Sequence, residues 1–516
     1  MTRAARGAAL RALVVVAALL TGLAWAVSSP IGSAPDDDFH LASIWCPPPI
    51  EESGCPLYRE YGRLAGVYAP ELVADPACFA FEPELTARCQ DDLSSTRLEP
   101  TKRVDQGDYP GPYYQFAHLF AGPDVGASVL AIRAFNTLLA VGLIGGAVLL
   151  VPTRIRPALA FALAASIVPM ALSIVPSTNP SSWAFTGLTT FWICCLAMAL
   201  TGDERVRVGA AALGLVGAVV AEVARNDSVL YVVLGLAVTV VLYARRSSTG
   251  GSDARALLRR WAPWITLVTI SLGLGVWSLV TSRSSTGIVP DDERAGRNPW
   301  ALLYYNLLDA LHVPAGLLGR TGLGWNDVWP PATVYVTTLM IAGFVLLTGF
   351  RELSARKVLA LLGVSGTLVF LPVVMLQRAM AFVGDQVQPR YFMSVLPLLL
   401  AVALLSADGQ RALRFGRVQA VTVWAGLVLA QSITLYVYLR RYVVGIAGPL
   451  WLGDWVVWWW PVGFGPVGVW LLGTASFALA LVPLIVTSGG TASRVPPVEE
   501  RERTPSGKGS PASSDF

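Results

Sequence analysis

Residues 12–27 read ALVVVAALLTGLAWAV, a run that contains no charged side chain. Three arginines, Arg3, Arg6 and Arg11, lie before or at the start of this run, and an acidic cluster follows it at residues 36–38. A helix needs roughly 20 mostly apolar residues to cross the hydrocarbon, so we predict a transmembrane helix near residues 9–28. The ending Ala24-Trp25-Ala26 also resembles a signal-peptidase site, and in both cases residue 29 onward is expected outside the cell.

Similar apolar runs recur along the chain, in which 54% of the residues are hydrophobic and 14% are charged. Mean hydropathy is +0.57, which excludes an ordinary soluble protein. About twelve spans are predicted from such runs. They lie near residues 9–28, 127–150, 157–175, 182–201, 208–224, 228–244, 262–282, 332–350, 358–376, 391–406, 418–438 and 463–486. The fold class indicated is an all-α polytopic membrane protein.

The cations of the connecting loops are distributed unevenly. Counting from an inside N-terminus, alternate loops contain Arg154/Arg156, Arg205/Arg207, residues 245–260, Arg351/Arg356/Lys357 and Arg411/Arg414/Arg417. The positive-inside rule places these loops in the cytoplasm. We therefore predict a multi-pass protein of the bacterial inner membrane with both termini cytoplasmic. The net charge of +4 reflects this topology, and no basic stripe indicates a nucleic-acid partner.

The spacing of the spans divides the chain into six segments. Residues 1–28 form the cytoplasmic N-terminus and first helix, and 29–126 form a large extracytoplasmic loop. Residues 127–282 contain helices 2–7. Residues 283–331 form a second extracytoplasmic segment with an interfacial helix over 298–312 and an acidic cluster at 291–293. Residues 332–486 contain helices 8–12, and the Ser/Pro/Gly-rich tail 487–516 is expected to be disordered.

Four of the six cysteines, Cys46, Cys55, Cys78 and Cys89, lie in the large first loop. Disulfides persist outside the cytoplasm, and four cysteines allow three pairings, so two loop bridges are expected. A zinc site is the alternative, although no CxxC spacing supports it. The tryptophan-rich stretch 451–461 indicates an interfacial aromatic belt, with a carbohydrate-stacking platform as its alternative.

The segment Pro35-Asp36-Asp37-Asp38-Phe39-His40 begins the first loop with three carboxylates and a histidine. Just outside a span, these groups can be solvated and still face a substrate held at the membrane surface. Aspartate is also favoured at helix starts because it caps free N–H groups and complements the helix dipole. The cluster is therefore either a helix cap or part of a functional site.

Further polar residues are predicted on the same side of the membrane. Arg225-Asn226-Asp227 forms the whole turn between two apolar helices, and such turns face protein or a cavity more often than lipid. An internal pair between Glu222 and Arg225 is the alternative interpretation. Arg133 lies early in the second span and needs partners inside the bundle. Arg390 lies at the mouth of the tenth span, where it can bind phosphate oxygens or snorkel to lipid headgroups.

Several short motifs together resemble the bacterial multi-pass membrane family known as domain of unknown function twenty-one forty-two. The segments that carry the resemblance are Pro35–His40, Tyr109-Pro110-Gly-Pro-Tyr113-Tyr114, Arg133 with Asn136, Asn179-Pro180-Ser181, Leu323-Gly-Trp-Asn-Asp327 and Gln388-Pro-Arg-Tyr-Phe392. Two positions depart from the family pattern, because Asp37 replaces a usual Glu and Pro389 replaces a usual Gly. The family layout is similar to that of C-type glycosyltransferases, which use polyprenyl-phosphate sugars.

The resemblance implies an inverting transferase with a catalytic set made of Asp36, Asp37 and His40. In this interpretation Asp36 is the general base for an acceptor hydroxyl, and Asp37 and His40 either orient it or join it in holding a divalent cation. The implied substrate-binding residues are Arg133, Arg225, Asp227, Asp327, Arg378, Arg390 and Tyr391. The implied partners are the lipid bilayer, a lipid-linked sugar donor, and an acceptor that is an envelope glycan or lipid.

Two other classes of function fit the same residues. A transporter or flippase for a lipid-linked or small polar substrate also needs buried arginines and acids, although no internal repeat is visible. A non-catalytic protein of envelope assembly is the third hypothesis, in which the acidic cluster is only a cap. No P-loop, GxSxG, HExxH or dinucleotide fingerprint occurs in a fitting context, so the energy for any reaction has to arrive with the substrate.

Overall fold

A computed structural model of the chain describes residues 3–243, 254–282, 297–385 and 387–488. The described chain is mostly helical. Its α-helices, in chain order, are α1 (Arg3–Ala26), α2 (Asp37–Trp45), α3 (Glu71–Ala74), α4 (Gly111–Ala117), α5 (Val125–Leu150), α6 (Arg156–Ile167), α7 (Met170–Ile174), α8 (Ser181–Leu200), α9 (Glu204–Glu222), α10 (Ser228–Tyr243), α11 (Ala254–Thr281), α12 (Pro299–Leu308), α13 (His312–Ala315), α14 (Ala332–Gly349), α15 (Ala355–Arg378), α16 (Val395–Leu404), α17 (Arg417–Val443), α18 (Pro466–Ala480) and α19 (Val482–Thr487).

Eight helical segments among the described residues are long and apolar enough to cross a membrane. They are α1, α5, α8, α11, α14, α15, α17 and the continuous pair α18–α19. The expectation of about twelve spans is therefore confirmed only in part. Helices α6, α10 and α16 are apolar but shorter, and α9 begins with Glu204, Arg205 and Arg207. At 1.5 Å per residue α16 extends only about 15 Å, roughly half of the hydrocarbon thickness.

The short helix α16 and its neighbour α8 form the centre of the bundle. Every residue of α16 is buried, as is 94% of the most apolar stretch of α8. A helix that is apolar on all sides belongs in a protein interior. Helix α8 packs closely on α9, where Gly187 and Gly217 approach each other's backbone so tightly that a Cβ at position 187 would lie 2.3 Å from the Gly217 carbonyl oxygen.

Three of the arginine-rich connections, those near residues 151–156, 350–357 and 405–417, meet at one end of the bundle. Arg154 donates to the carbonyl of Gln410 at 2.6 Å, and the Lys357 ammonium donates to three carbonyls, including that of Leu405 at 2.6 Å. These contacts show that loops predicted to share one side of the membrane do share one face of the molecule. Their cytoplasmic location remains a prediction. We call the opposite end, which carries residues 27–124, the loop face.

The large first loop folds into a small domain that contains a β-sheet. Its antiparallel strands are β1 (Leu57–Glu60), β2 (Arg63–Pro70) and β3 (Leu98–Thr101), in the order β1-β2-β3. The β1–β2 turn consists of Tyr61 and Gly62, both with positive φ, as the two-residue hairpin turns require. The all-α expectation is corrected at this point, because the loop buries its core between this sheet and α2 and α3.

The four cysteines of this domain form two disulfides, Cys46–Cys55 and Cys78–Cys89. The prediction of two bridges is confirmed. Cys194 and Cys195 are buried and unpaired within α8. Each bridge closes a loop of about ten residues, for which the chain-entropy argument gives roughly 2–3 kcal/mol of stabilisation.

The disulfide pairing makes a direct prediction for the protein purified from membranes. Non-reducing peptide mapping should recover linked peptides that contain Cys46 with Cys55 and Cys78 with Cys89, while Cys194 and Cys195 alkylate only after denaturation. Replacing Cys78 and Cys89 together by serine should lower the free energy of unfolding by about 2–3 kcal/mol. Linked peptides that join the two bridges differently would contradict the fold of this domain.

Two aromatic segments complete the loop face. Helix α12 buries Leu302 and Asn306 and exposes Trp300, Tyr304 and Leu308. A helix is therefore present within the predicted range 298–312, and its location at the membrane interface remains a prediction. In the stretch 451–461 two tryptophans are exposed, Trp451 and Trp455, whereas Trp460 is buried and donates to the Ser29 carbonyl. The predicted acidic cluster 291–293 and the tail beyond residue 488 lie outside the described residues.

Candidate functional site

Asp36 occupies the position before α2 but does not cap that helix. Its backbone is left-handed, with φ of 59°, and its side chain accepts no hydrogen bond from the first turn of α2. The carboxylate instead accepts a hydrogen bond of 2.7 Å from the Arg390 guanidinium and a longer one of 3.5 Å from Arg103. Positive φ is uncommon outside glycine, and Asp is among the residues that tolerate it. The helix-cap interpretation is therefore wrong for Asp36, and its functional role remains a prediction.

Two guanidinium groups set the charge state of Asp36. Burial acts to raise the pKa of its carboxyl group, but Arg390, followed by His40 and Arg103, outweighs that effect, and the pKa lies below its usual value. The side chain is still 40% exposed. Asp36 is therefore an accessible carboxylate that is a weak base as long as Arg390 remains beside it.

Arg103 is a site residue that the sequence interpretation missed. It lies just after β3 and donates to Asp38 at 2.7 and 3.0 Å as well as to Asp36. Its guanidinium also lies over the Phe39 ring, 5.7 Å from the centroid. No sequence signal distinguishes Arg103 from its neighbour Lys102, because their different partners depend on how the sheet packs against α2.

Arg390 and Arg225 come together around the ring of Tyr391. Arg390 belongs to a short 3₁₀ turn, Pro389–Phe392, and is 9% exposed, with its guanidinium 5.1 Å from the Tyr391 ring centroid. Arg225 lies 4.3 Å from the same centroid and forms a two-pronged pair with Asp227 at 2.9 Å for both contacts. The Arg225 guanidinium also reaches the Ser181 hydroxyl at 3.5 Å. Two cations from distant parts of the chain thus lie near one aromatic ring.

Two cavities adjoin this group of charges, and Arg390 lines both of them. The space between atoms is about 230 Å³ in the first and about 280 Å³ in the second, and both figures include space that is open to solvent. We call them the arginine cavity and the polar cavity. The arginine cavity is lined by Ser181, Ala184, Phe185, Leu188, Arg225, Asp227, Ser228, Tyr231, Arg390, Tyr391, Met393 and Ser394. The polar cavity is lined by Pro35, Met170, Ser173, Ile174, Thr321, Gly322, Leu323, Gly324, Asn326, Gln388, Pro389 and Arg390.

Asp37 and His40, predicted to act beside Asp36, are fully buried and bonded elsewhere. Asp37 accepts hydrogen bonds from the Ala34 amide at 3.0 Å and from the Thr178 hydroxyl. His40 Nδ1 is 2.8 Å from the Tyr114 hydroxyl oxygen. Among the described residues no three His, Cys, Asp or Glu side chains are grouped as a metal site requires. The side chains of Asp37 and His40 are thus engaged by Ala34, Thr178 and Tyr114, and their predicted roles beside Asp36 remain predictions.

Burial shifts the pKa values of Asp37 and His40 in opposite directions. Burial raises the pKa of Asp37 to about 6, against the opposing effects of Arg133 and Thr178. Burial lowers the pKa of His40 to about 3, with Arg390 and Arg225 acting in the same direction and Asp36 opposing them. Near neutral pH the imidazole is therefore uncharged, which suits a group buried among arginines.

The two pKa shifts predict opposite changes of stability with pH. The unfolded chain takes up the His40 proton near pH 6.5 and the folded chain only near pH 3, so His40 makes the free energy of unfolding rise as pH rises across that window. Folded Asp37 keeps its proton to about pH 6, so its contribution falls between about pH 4 and 6. His40→Asn should flatten the rise and Asp37→Asn should steepen it, each by up to about 1.4 kcal/mol per pH unit. Thermal unfolding in detergent between pH 4 and 7 measures both changes, and equal profiles for the two variants would contradict the assignment.

Three other predicted substrate-binding residues are not at these cavities. Arg133 is buried and donates to the carbonyls of Ala26, Ser29 and Pro30 at 2.7–2.9 Å. These contacts hold the exit of α1 and leave Arg133 unavailable to a ligand. Arg378 is exposed at the end of α15 and lines neither cavity. Asp327 is buried beside the polar cavity but points to Arg441.

The Asp327–Arg441 pair attaches the first-loop domain to the bundle. Arg441, near the end of α17, donates to Asp327 at 2.9 Å and to the backbone carbonyls of Phe79, Glu82 and Leu85. Side-chain exposure is 1% for Arg441 and 3% for Asp327. One guanidinium therefore holds the Cys78–Cys89 loop and neutralises a buried carboxylate.

Arg441→Met should destabilise the folded protein strongly. The change leaves Asp327 buried without a cation and removes the Arg441 donor from three carbonyls, of which those of Phe79 and Glu82 keep a backbone donor. A loss of about 3–5 kcal/mol is expected for a buried pair broken on one side. Arg440→Met is the matched control, because Arg440 is partly exposed and donates only to the nearby carbonyls of Ile446, Gly448 and Pro449. Thermal unfolding in detergent compares the two variants. Equal unfolding temperatures would show that the buried pair contributes little.

The alternative pairing of Glu222 with Arg225 is not formed. Arg225 turns to Asp227, and both carboxyl oxygens of Glu222 are buried without a hydrogen-bond partner. The turn at 225–227 faces the arginine cavity, as predicted for a polar turn between apolar helices.

The fold and its loop face define a polytopic membrane protein with a disulfide-containing loop domain above a helical bundle. The chain belongs to the family described as predicted membrane protein (DUF2142), which matches residues 19–399. The match includes Asp36, Arg225 and Arg390 and ends before α17. No curated protein and no solved structure matches the chain. The family description names membrane location and no activity.

Proposed function

We propose that the protein is a glycosyltransferase that moves a sugar from a polyprenyl-phosphate donor to an acceptor on the outer face of a bacterial inner membrane. The observation that carries the proposal is the contact of Asp36 with Arg390, the arginine that lines both cavities, although Asp36 itself lines neither. A carboxylate that can accept a proton there adjoins guanidinium groups that can bind a phosphate.

The arginine cavity suits the donor. Arg225 and Arg390 supply planar forks for phosphate oxygens, and Phe185, Leu188 and Met393 supply an apolar wall for the first isoprene units. The polar cavity suits an acceptor that bears hydroxyl groups, because Ser173, Thr321, Asn326 and Gln388 provide hydroxyl and amide partners. Arg390 lies between them, where a sugar carbon bonded to the donor phosphate would meet the acceptor oxygen.

The resting charges imply an exchange of partners when the donor binds. Arg390 pairs with Asp36 in the free protein, and donor phosphate competes with Asp36 for this guanidinium. Once Arg390 binds phosphate, Asp36 loses the cation that lowers its pKa most and becomes a stronger base. Binding of the donor thereby activates the base only when there is a substrate to attack.

The transfer step then needs no covalent enzyme intermediate. The acceptor oxygen attacks the anomeric carbon and passes its proton to an Asp36 carboxylate oxygen, while the bond from that carbon to the phosphate oxygen breaks. The phosphate leaves with the bonding electron pair, and Arg390 and Arg225 stabilise its charge. A single displacement inverts the anomeric centre.

The proposal is tested in cells that lack the gene. Deletion should remove one sugar linkage from the envelope glycans, and the native gene should restore it. Accumulation of an unused lipid-linked sugar on the outer leaflet supports transfer. Accumulation on the inner leaflet instead would favour a flippase, and an unchanged glycan composition with altered envelope assembly would favour a scaffold.

A further inference from the structure

A carboxyl group outside the proposed site is buried at the contact of α9 with α11. Glu222 ends α9, has no exposed surface, and neither of its carboxyl oxygens has a hydrogen-bond partner. An ionised carboxylate in such surroundings would be very unfavourable, because it would have lost water and gained no donor. The group is therefore far more stable in its neutral, protonated form.

Helix α11 covers this carboxyl group with its smallest and most polar face. Ser271, Gly275 and Ser278 follow one another at helical spacing, and a Cβ at position 275 would lie 3.0 Å from Glu222 Oε1. The Ser278 hydroxyl donates to the Glu222 carbonyl at 3.2 Å, and the buried Ser271 hydroxyl has no partner. The same Cβ would lie 2.3 Å from Val229 of α10, so the missing side chain at Gly275 lets α11 pack closely on both Val229 and the carboxyl group.

Among the residues that the structure describes, the charged groups on the elements around Glu222 are either paired with other groups or distant from it. Arg225 and Asp227 pair with each other, and Arg133 of α5 binds backbone carbonyls near the exit of α1. The described arginine of α11, Arg260, is about 22 Å along the helix from Gly275 at 1.5 Å per residue. In the part of the chain that the structure describes, Glu222 has no salt-bridge partner.

We propose that Glu222 is a proton-binding site within the bundle, closed by α11. Only 22% of the most apolar stretch of α11 is buried, so this helix lies at the periphery of the bundle with most of its surface toward lipid. Ionisation of Glu222 needs water, and water reaches the carboxyl group only when α11 separates from α9. Release of the proton is thus linked to withdrawal of α11, next to the turn that carries Arg225.

Infrared spectroscopy of the protein in lipid vesicles at pH 7 tests the protonation state. The spectrum should contain a carbonyl band of a protonated carboxylic acid that Glu222→Gln removes. Glu204→Gln, at the exposed start of the same helix, should remove carboxylate absorption instead. If Glu222→Gln also removes only carboxylate absorption, Glu222 is ionised and the proposal is wrong.

Dicyclohexylcarbodiimide provides a second measurement of the same site. A protonated carboxyl group passes its proton to a carbodiimide nitrogen, its oxygen bonds to the central carbon, and the adduct rearranges to a stable N-acylurea. We expect peptide mass spectrometry to find this adduct on Glu222, and a water-soluble carbodiimide to label exposed acids such as Glu204 and leave Glu222 unlabelled. Equal labelling of Glu222 by the water-soluble reagent would show that the site is open to water and would overturn the proposed closure by α11.

Discussion

Asp36→Asn should lower the rate of sugar transfer by about 10²–10⁴-fold, the range that a positioned general base contributes. The amide has nearly the shape of the carboxylate but cannot take the acceptor proton. Membrane levels and unfolding temperature should stay close to native, because the side chain is 40% exposed and makes no helix cap. The measurement is restoration of the missing glycan linkage in the deletion strain, together with transfer by the purified protein in vesicles.

Asp38→Asn is the matched control for this variant. Asp38 is two residues away and shares Arg103 with Asp36, but it has no contact with Arg390. We expect it to keep most of the activity. Binding of polyprenyl phosphate should be equal or tighter in Asp36→Asn, because the competitor for Arg390 has lost its charge. Full glycan restoration by Asp36→Asn would refute Asp36 as the base.

Arg390→Gln should slow the same reaction by weakening the stabilisation of the leaving phosphate. Removing a donor that stabilises developing charge costs about 10²–10³ in rate. Polyprenyl phosphate should also bind less tightly, which separates this variant from Asp36→Asn. Arg390→Lys keeps the charge but loses the planar guanidinium that can donate two parallel hydrogen bonds, so its activity should lie between that of Arg390→Gln and that of the native protein. Arg378→Gln is the control, since that exposed arginine lines neither cavity.

The Arg390 variants also predict a change in the pH profile. Arg390 lowers the pKa of Asp36, so its replacement by Gln raises that pKa. Transfer needs the ionised form of Asp36. When the remaining activity is measured against pH at a subsaturating donor concentration, its acidic limb should therefore move to higher pH. An unshifted acidic limb would mean that Asp36 and Arg390 do not interact in the working protein.

Composition and charge placement predicted the class of fold, but the number of spans depended on packing. Long apolar runs such as 127–150 are recognisable because a helix must satisfy its own backbone in lipid. The run at 391–406 reads like a span, yet α16 is short and enclosed by protein, and only tertiary contacts show this. The hairpin of the first loop had one local signal, Tyr61-Gly62 between Leu57–Glu60 and Arg63–Pro70, which is weak within a loop rich in proline and cysteine.

The candidate site was predictable in its residue types and not in their individual roles. Asp36 and Asp37 are neighbours with the same chemistry, and the left-handed backbone at Asp36 decides which of them faces Arg390. Arg133 and Arg390 have the same sequence signature, an arginine near a span end. Their difference arises because unpaired carbonyls near the exit of α1 surround Arg133, whereas Arg390 adjoins two cavities.

The contact of Asp36 with Arg390 joins positions 354 residues apart. A ribosome adds roughly 5–20 residues per second, so the guanidinium emerges on the order of 20–70 s after the carboxylate. During that interval the first loop already lies at the membrane surface, while the tenth apolar segment has not been made. A nascent chain therefore lacks the contact between Asp36 and Arg390 until its insertion is nearly complete.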